Sequence, residues 1–105
     1  MSNPIESLLQ ELFSKVVANP AISDLVNNSY RFIITDSPTQ AFVLDFTKEI
    51  FLEDSKTLVD CEVTLTAEAL QGIMHGVLNP QSCFANKQIV VKGNQEAALK
   101  LTRIW

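Results

Sequence analysis

The 105 residues are enough for one domain, and their composition already excludes several classes of protein. Hydrophobic residues make up 47% of the chain and charged residues only 19%, with a formal net charge of −4. Because a nucleic-acid binder needs clustered Lys and Arg, and no basic run is present, we expect no nucleic-acid partner. No apolar run approaches the roughly 20 residues of a membrane-spanning helix.

Residues 1–29 predict a helical lead-in to the domain. Asn3 suits an N-cap, and Pro4 suits the first helical turn. Apolar residues then recur at helical spacing and form one stripe, made of Ile5, Leu8, Leu9, Leu12, Phe13, Val16 and Val17. Asn19-Pro20 ends this helix, and the segment AISDLVNN predicts a second, shorter one.

In residues 30–65 the hydrophobic period changes to two, which predicts four strands. The strands are YRFIIT, AFVLDFT, EIFLED and VDCEVTLT, and the turn DSPTQ separates the first two. The inward face of the second strand is expected to carry Phe42, Leu44 and Phe46. That of the fourth strand is expected to carry Val59, Cys61, Val63 and Leu65. One buried and one solvated face is typical of an antiparallel sheet.

Residues 66–105 predict a helix, a turn, a strand and a last helix. Thr66 can cap the first helix, whose apolar face combines Ala69, Leu70, Ile73, Met74, Val77 and Leu78. Gly76 can take the left-handed conformation that ends it. After the single turn PQSCFAN and the strand KQIVVKG, Asn94 caps a helix with an apolar stripe of Ala97, Leu101, Ile104 and Trp105.

This order of elements predicts an α+β fold, in which helices pack on one face of a mostly antiparallel five-stranded sheet. We treat residues 1–105 as a single domain, since no repeat or linker interrupts them. Cys61 and Cys83 fit no metal-ligand spacing, and without a secretory leader they are expected as reduced thiols in a cytoplasmic protein.

The segment VTLTAEALQGIMHGVLNPQSCFANKQIVVKGNQEAALKL resembles the signature region of the sterol carrier protein 2 family of lipid-binding domains. The shared pattern is a strand, a short helix, Gly, an Asp-Pro-like turn, an aromatic residue, Gly-Lys, and an alternating strand that ends in Lys-Gly-Asp. Asn79 and Asn94 replace Asp at caps. Asn86 replaces a Gly, and Asn is the next best residue for the left-handed conformation.

The resemblance implies that the sheet and helices enclose an apolar tunnel for a hydrophobic lipid: a fatty acyl chain, a sterol-like molecule or a prenylated quinone-type molecule. We expect no enzyme activity and no cofactor, because the sequence contains no phosphate loop and no nucleophile elbow. The residues expected to contact the lipid are Phe42, Leu44, Phe46, Leu70, Ile73, Met74, Val77, Phe84, Ile89, Val91, Leu101 and Trp105. Transient contact with a membrane is expected during transfer of the lipid.

The ending at Ile104-Trp105 and the absence of a peroxisomal Ala-Lys-Leu signal lead us to expect a short, bacterial, cytoplasmic member with a more open tunnel. A second hypothesis stays open. In it the cavity is collapsed, and the apolar surface forms a homodimer or docks on an enzyme of lipid or quinone synthesis.

The candidates for other chemistry are few. His75 has no Cys, Asp or Glu at ligand spacing, and we expect a solvated residue at a helix end. Asp60 and Glu62 share the solvated side of a strand without an apolar pocket to raise a pKa. Cys61 is expected as a buried small hydrophobe, and the reactivity of Cys83 is left open. The sequence therefore predicts no catalytic residue and no metal ligand.

Overall fold

The computed structural model describes residues 4–36, 39–54 and 56–104. Helices α1 (Pro4–Val17) and α2 (Pro20–Leu25) precede four strands, β1 (Ser29–Ile34), β2 (Gln40–Asp45), β3 (Ile50–Glu53) and β4 (Cys61–Leu65). The chain continues with α3 (Ala67–Met74), α4 (Pro80–Ala85), β5 (Val90–Gly93) and α5 (Gln95–Ile104). The predicted order is confirmed, and the expected single turn is the short helix α4. The expected N-cap Asn3 lies outside the described residues.

The five strands form one sheet in the order β3-β2-β1-β4-β5. Three of the four neighbouring pairs are antiparallel, and the central pair, β1 with β4, is parallel. Tyr30 in β1 therefore lies between Leu44 of β2 and Cys61 of β4. The prediction of an α+β fold with a mostly antiparallel sheet is confirmed.

The core lies on one face of this sheet, which we call the inner face. Tyr30, Phe32 and Ile34 alternate along β1 onto that face, and each is 0% exposed. The stripe of α1 packs into the same cluster of buried residues through Ile5, Leu9, Leu12 and Val16. The helical and strand periodicities thus meet in one core, as the sequence pattern requires.

On the opposite face, which we call the outer face, the register aligns Leu52, Val43, Arg31, Glu62 and Lys92 in one row across all five strands. Arg31 nevertheless has only 6% exposure. Its guanidinium donates to the carbonyl oxygens of Asp54 and Thr57 and to the carboxylate of Glu62. Asp54 and residues 56–60, here named the β3–β4 loop, therefore lie over Arg31.

Side-chain caps begin the later helices where the sequence predicts them. Thr66 Oγ1 accepts from the Ala69 N–H at 3.1 Å at the start of α3. Asn79 Oδ1 accepts from two N–H groups in the first turn of α4, and Asn94 Oδ1 does the same in α5. Each cap pairs donors that the helix itself leaves unpaired.

Helices α3 and α4 both end in a Schellman motif. In α3, Gly76 has a φ of 76°, and the Val77 N–H donates to the carbonyl oxygen of Gly72 at 2.8 Å. The corresponding bond in α4 runs from the Gln88 N–H to the carbonyl oxygen of Cys83, also at 2.8 Å.

The expectation of a left-handed Asn86 is wrong. Asn86 has a φ of −86°, and it is Lys87 that takes the left-handed conformation, with a φ of 63°. The reason is the length of α4. Because its last helical residue is Ala85, Asn86 forms the C-cap, and the reversal falls on the residue after the cap.

Candidate functional site

Most of the apolar residues named from the sequence lie in the core between the inner face and the helices. Exposure is 5% or less for Phe42, Leu44, Phe46, Leu70, Ile73, Ile89 and Leu101. Three others are partly buried against the same cluster: Met74, Phe84 and Val91. Trp105 lies outside the described residues.

Val77 is placed differently from the other members of its predicted stripe. Helix α3 ends at Met74, and the Schellman motif turns the chain before Val77, whose side chain is 78% exposed. Leu78 folds back instead: a Cβ atom on Gly72 would lie 2.6 Å from Leu78 Cδ1. The absence of a side chain at Gly72 thus lets Leu78 close over the helix.

An aromatic cluster fills the end of the core beneath α1. Phe13 from α1 stacks on Phe46, with ring centroids 5.6 Å apart, and meets Phe51 edge-on at 5.8 Å. Tyr30 lies 5.7 Å from Phe46, and Phe42 lies 6.0 Å from Phe51. This part of the interior is closely packed, so any space for a guest must lie elsewhere between the layers.

A cavity of about 310 Å³ opens between α1 and α3. It is lined by Glu11, Leu12, Lys15, Ile73, Met74 and Gly76. The buried side chains of Leu12 and Ile73 belong to the core cluster, and Met74 packs against it, so the apolar lining is continuous with the interior. The charged side chains of Glu11 and Lys15 stand at the exposed rim. We call this feature the α1–α3 cavity.

Two residues named from the sequence, Ile73 and Met74, line the α1–α3 cavity. The α1 side, which consists of Glu11, Leu12 and Lys15, was not anticipated. The apolar stripe of α1 predicted that Leu12 would pack against another element of the fold. It did not indicate that this element is α3.

Two larger hollows are lined mainly by residues of polar and charged types. One, of about 450 Å³, is lined by Thr39, Gln40, Ala41, Glu53, Asp54 and Lys56. The other, of about 550 Å³, is lined by Ser7, Gln10, Glu11, Ser14 and Lys15 along the solvated side of α1. Neither hollow is lined by a residue of the buried core cluster, whereas Leu12 and Ile73 of that cluster line the α1–α3 cavity, so the α1–α3 cavity is the better candidate for a hydrocarbon.

The carboxylates considered for acid–base chemistry are engaged in structural contacts. Asp60 accepts from the Ser29 N–H at 3.0 Å and from Asn28 Nδ2 at 3.2 Å. These two hydrogen bonds lower the pKa of Asp60 below its usual value, and the bond from the Ser29 backbone contributes more than the bond from Asn28. Glu62 pairs with Arg31 at 2.9 Å.

The other residues considered for chemistry are His75, Cys61 and Cys83, of which both cysteines are buried. His75 is exposed at the C-cap of α3. Burial, together with the charges of Asp60 and Glu62, raises the pKa of Cys61 to about 11, which keeps the thiol protonated at neutral pH. Within residues 4–36, 39–54 and 56–104, no group of three or more His, Cys, Asp or Glu side chains could hold a metal ion.

Comparison with known proteins decides the family. Residues 5–105 match the SCP-2 sterol transfer family. The chain belongs to that family. A stretch of 81 residues, 72% of the chain, is 31% identical to sterol carrier protein 2 of Rattus norvegicus. The match covers only 15% of that relative's length.

Solved structures of the family share the fold. Sterol carrier protein 2-like 2 from Aedes aegypti superposes with a TM-score of 0.84, at 17% identity, over 96% of this chain and 95% of that one. The palmitated form of the same mosquito protein gives a TM-score of 0.81 at 20% identity, over 94% and 91% of the two chains. Sterol carrier protein domain 2 of Helicoverpa armigera also gives 0.81, at 21% identity, over 98% and 89%. In the described part of this chain, no helix has both the length and the apolarity to cross a bilayer.

Proposed function

We propose that this chain binds a hydrophobic lipid between α1, α3 and the inner face of the sheet, and carries or presents it to a membrane or an enzyme. The observation that carries the proposal is the α1–α3 cavity, whose apolar lining of Leu12, Ile73 and Met74 continues into the core. Membership of a sterol transfer family supports the same conclusion.

The ligand class we favour is a long-chain fatty acyl group. A lipid chain can gain about 0.8 kcal/mol for each methylene that it buries, so about a dozen buried methylenes can offset the cost of association. The 310 Å³ cavity is at the lower end of the range of roughly 300–1,000 Å³ for ligand sites. A lipid chain larger than this volume would therefore need α1 and α3 to move apart. The palmitated state of the mosquito relative supports an acyl ligand over a sterol-like or prenylated one.

The rim of the cavity supplies the polar contact that such a ligand needs. Lys15 lines the cavity beside the apolar residues, and its ammonium group can pair with a fatty-acid carboxylate at the surface. Glu11, on the same helix, would repel a carboxylate placed near it. We therefore assign the head-group contact to Lys15.

Uptake of a fluorescent fatty acid by the delipidated protein tests the proposal. Met74→Trp would fill part of the α1–α3 cavity, and we expect it to weaken binding about tenfold, which corresponds to roughly 1.4 kcal/mol or the loss of about two buried methylenes. Val77→Trp is the matched control, because Val77 lies nearby in sequence and is exposed. Absence of saturable uptake by the unmodified protein, or equal affinities of the two variants, would contradict the proposal.

Competition with unlabelled ligands identifies the cargo. A fatty acid should displace the probe, whereas a sterol and a prenylated quinone should compete weakly. Lys15→Gln should weaken binding of the fatty acid but not of the long-chain alcohol of equal length, because only the acid carries a charge. Equal loss for both ligands would assign Lys15 a purely structural role.

A second function, self-association, has one specific observation in its favour. The edge strand β3 exposes Ile50 and Leu52 by 40% and 36% on the outer face, beside backbone groups that no other strand of the described residues pairs. If this edge forms a homodimer, sedimentation should give a dimer that Leu52→Lys dissociates. A monomer at all concentrations would remove this alternative.

A further inference from the structure

Helix α3, the shorter wall of the α1–α3 cavity, is anchored at its N-terminal end. The helix has eight residues, and it follows closely on β4, whose Leu65 pairs with Ile34 of β1 in the sheet. Asp36, in the chain just after β1, accepts from the Ala67 N–H through Oδ1 at 2.6 Å. Thr66 caps the same turn. The start of α3 is therefore held by the sheet and by two side-chain oxygens.

The C-terminal end of α3 lies beside the cavity, and the chain that follows it is solvated. Ile73, Met74 and Gly76 line the cavity. His75, Gly76 and Val77 are exposed, and a Cβ atom on Gly76 would meet nothing within 4 Å. This end of the helix therefore has open space beside it, into which it can move.

Leu78 fastens the C-terminal half of α3 to the chain that leads into α4. The Schellman motif returns the backbone, so that the Leu78 N–H donates to the carbonyl oxygen of Gly72 at 3.0 Å. The Leu78 side chain then lies on Gly72, where a Cβ atom would be 2.6 Å from Cδ1 and 2.8 Å from Cγ. Leu78 also packs against the buried core cluster. One side chain thus bridges α3 and the segment after it.

Helix α1, the opposite wall of the cavity, is fixed more firmly. It has 14 residues, and its stripe residues Leu9 and Leu12 are 0% and 2% exposed. Phe13 also contacts the rings of Phe46 and Phe51. Because moving α1 would break up this aromatic cluster as well as the buried stripe, α3 is the wall that can move at lower cost.

We propose that the contact between Leu78 and Gly72 is a latch that controls entry of the lipid. While Leu78 lies on Gly72, the C-terminal half of α3 stays against α1, and the cavity keeps its volume of about 310 Å³. When Leu78 leaves Gly72, α3 pivots about its anchored end, and the gap between Met74 and α1 widens for the acyl chain. The inference rests on the proposed function, because the latch regulates the same cavity.

The latch can open without unfolding the domain. Leu78 is partly buried, whereas Leu70, on the core side of α3, is 0% exposed. Release of Leu78 therefore exposes less apolar surface than release of a core leucine would. Folded proteins open such weakly buried segments at a free energy well below that of global unfolding.

Amide hydrogen exchange without a ligand tests the latch through Gly72→Ala. Alanine is a better helix former than glycine, so without a latch this substitution should slow exchange in α3. With the latch, the added methyl group displaces Leu78 from its seat. Exchange of the His75 N–H, which donates to the carbonyl oxygen of Gln71, should then become about tenfold faster, while exchange in α1 stays unchanged.

Leu78→Ala removes the latch from the other side and should speed exchange of the His75 N–H by a similar factor. Val77→Ala is the matched control, because Val77 is the neighbouring residue and is 78% exposed. The double variant of Gly72 and Leu78 to alanine should exchange no faster than Leu78→Ala, since both changes remove one contact. Slower or unchanged exchange in Gly72→Ala, or equal exchange in Leu78→Ala and Val77→Ala, overturns the proposal.

Stopped-flow uptake and release of the fluorescent fatty acid connect the latch with the cavity. Because Leu78 returns to Gly72 once the acyl chain is inside, weakening the latch affects the free and the loaded protein alike. Both rates should therefore rise about fivefold in Gly72→Ala and Leu78→Ala, while Kd stays within about twofold. Normal binding with unchanged rates would refute the latch alone. Failure of the unmodified protein to take up the probe would refute the carrier function and the latch together.

Discussion

The hydroxyl of Tyr30 donates a hydrogen bond of 2.6 Å to the carbonyl oxygen of Ala97, and so joins the central strand β1 to helix α5. Both residues are buried, with Tyr30 at 0% and Ala97 at 1% exposure. The phenol crosses the core and ends on a backbone acceptor in the first turns of α5. The last helix is thereby fastened to the middle of the sheet by a polar contact inside an apolar interior.

Tyr30→Phe should lower the free energy of unfolding by about 1–2 kcal/mol. The ring packing is retained, but the buried carbonyl oxygen of Ala97 loses a donor. Urea unfolding followed by circular dichroism measures the change through the midpoint at constant slope. An unchanged midpoint would mean that the hydrogen bond contributes nothing net to stability.

Stability should fall on the alkaline side because of Cys61. An unfolded thiol has a pKa of about 8.5, whereas burial raises the pKa of the folded Cys61 to about 11. Between these values the unfolded chain loses a proton that the folded chain retains, so the free energy of unfolding decreases as pH rises through this window.

Cys61→Ala should flatten this decrease when its stability is normalised to its own value at pH 7. A fall above about pH 10 should remain, because burial also holds the pKa of Tyr30 above its usual range. Urea unfolding at a series of pH values makes the measurement. Parallel curves for Cys61→Ala and the unmodified protein would contradict the role assigned to the thiol.

Gly93 and Gly76 form a natural pair for testing backbone strain against steric contact. Both have a positive φ, 106° for Gly93 and 76° for Gly76. A Cβ atom on Gly93 would lie 2.5 Å from the carbonyl oxygen of Asp60, whereas one on Gly76 would meet nothing within 4 Å. Gly76→Ala should cost about 1 kcal/mol and Gly93→Ala about 2–4 kcal/mol. Equal losses in urea unfolding would show that the approach of Asp60 is easily relieved.

Lys87→Gly should stabilise the protein by about 1 kcal/mol. Lys87 adopts the left-handed conformation that glycine takes without steric cost. Asn86→Gly is the matched control: Asn86 has a negative φ, and glycine there should be mildly destabilising, by roughly 0.5 kcal/mol. Thermal unfolding of both variants checks the sign, and stabilisation by Asn86→Gly instead would place the reversal one residue earlier.

Features governed by local sequence could be predicted. The caps Thr66, Asn79 and Asn94 act on N–H groups two or three residues away, so residue type and spacing suffice to locate them. The inward faces of β2 and β4, with Phe42 and Leu44 on β2 and Cys61, Val63 and Leu65 on β4, follow from alternation alone. Gly76 marked the end of α3 correctly, and Val77 was placed on the helical stripe only because its spacing continues the period beyond that end.

Features governed by distant pairing could not be predicted. The parallel pairing of β1 with β4 depends on the route of the chain through β2 and β3, which leaves no mark in the alternation. The burial of Arg31 depends on the β3–β4 loop lying over it, and the sequence analysis did not single this residue out. The α1 side of the α1–α3 cavity was missed for the same reason, since an apolar stripe does not indicate which element packs against it.

The parallel pairing has a consequence for the order of folding. Strands β1 to β3 form an antiparallel meander that short turns can assemble quickly, while β4 and β5 pair across the segment that holds α3 and α4. Within the sheet the two units are joined along the seam between β1 and β4, which the Arg31–Glu62 ion pair also spans. Closing this seam joins positions about 31 residues apart. We therefore expect the entropy that the chain loses on closing this loop to limit the rate of folding. Mutations in the seam should therefore slow refolding, whereas changes at the outer edges of β3 and β5 should mainly hasten unfolding.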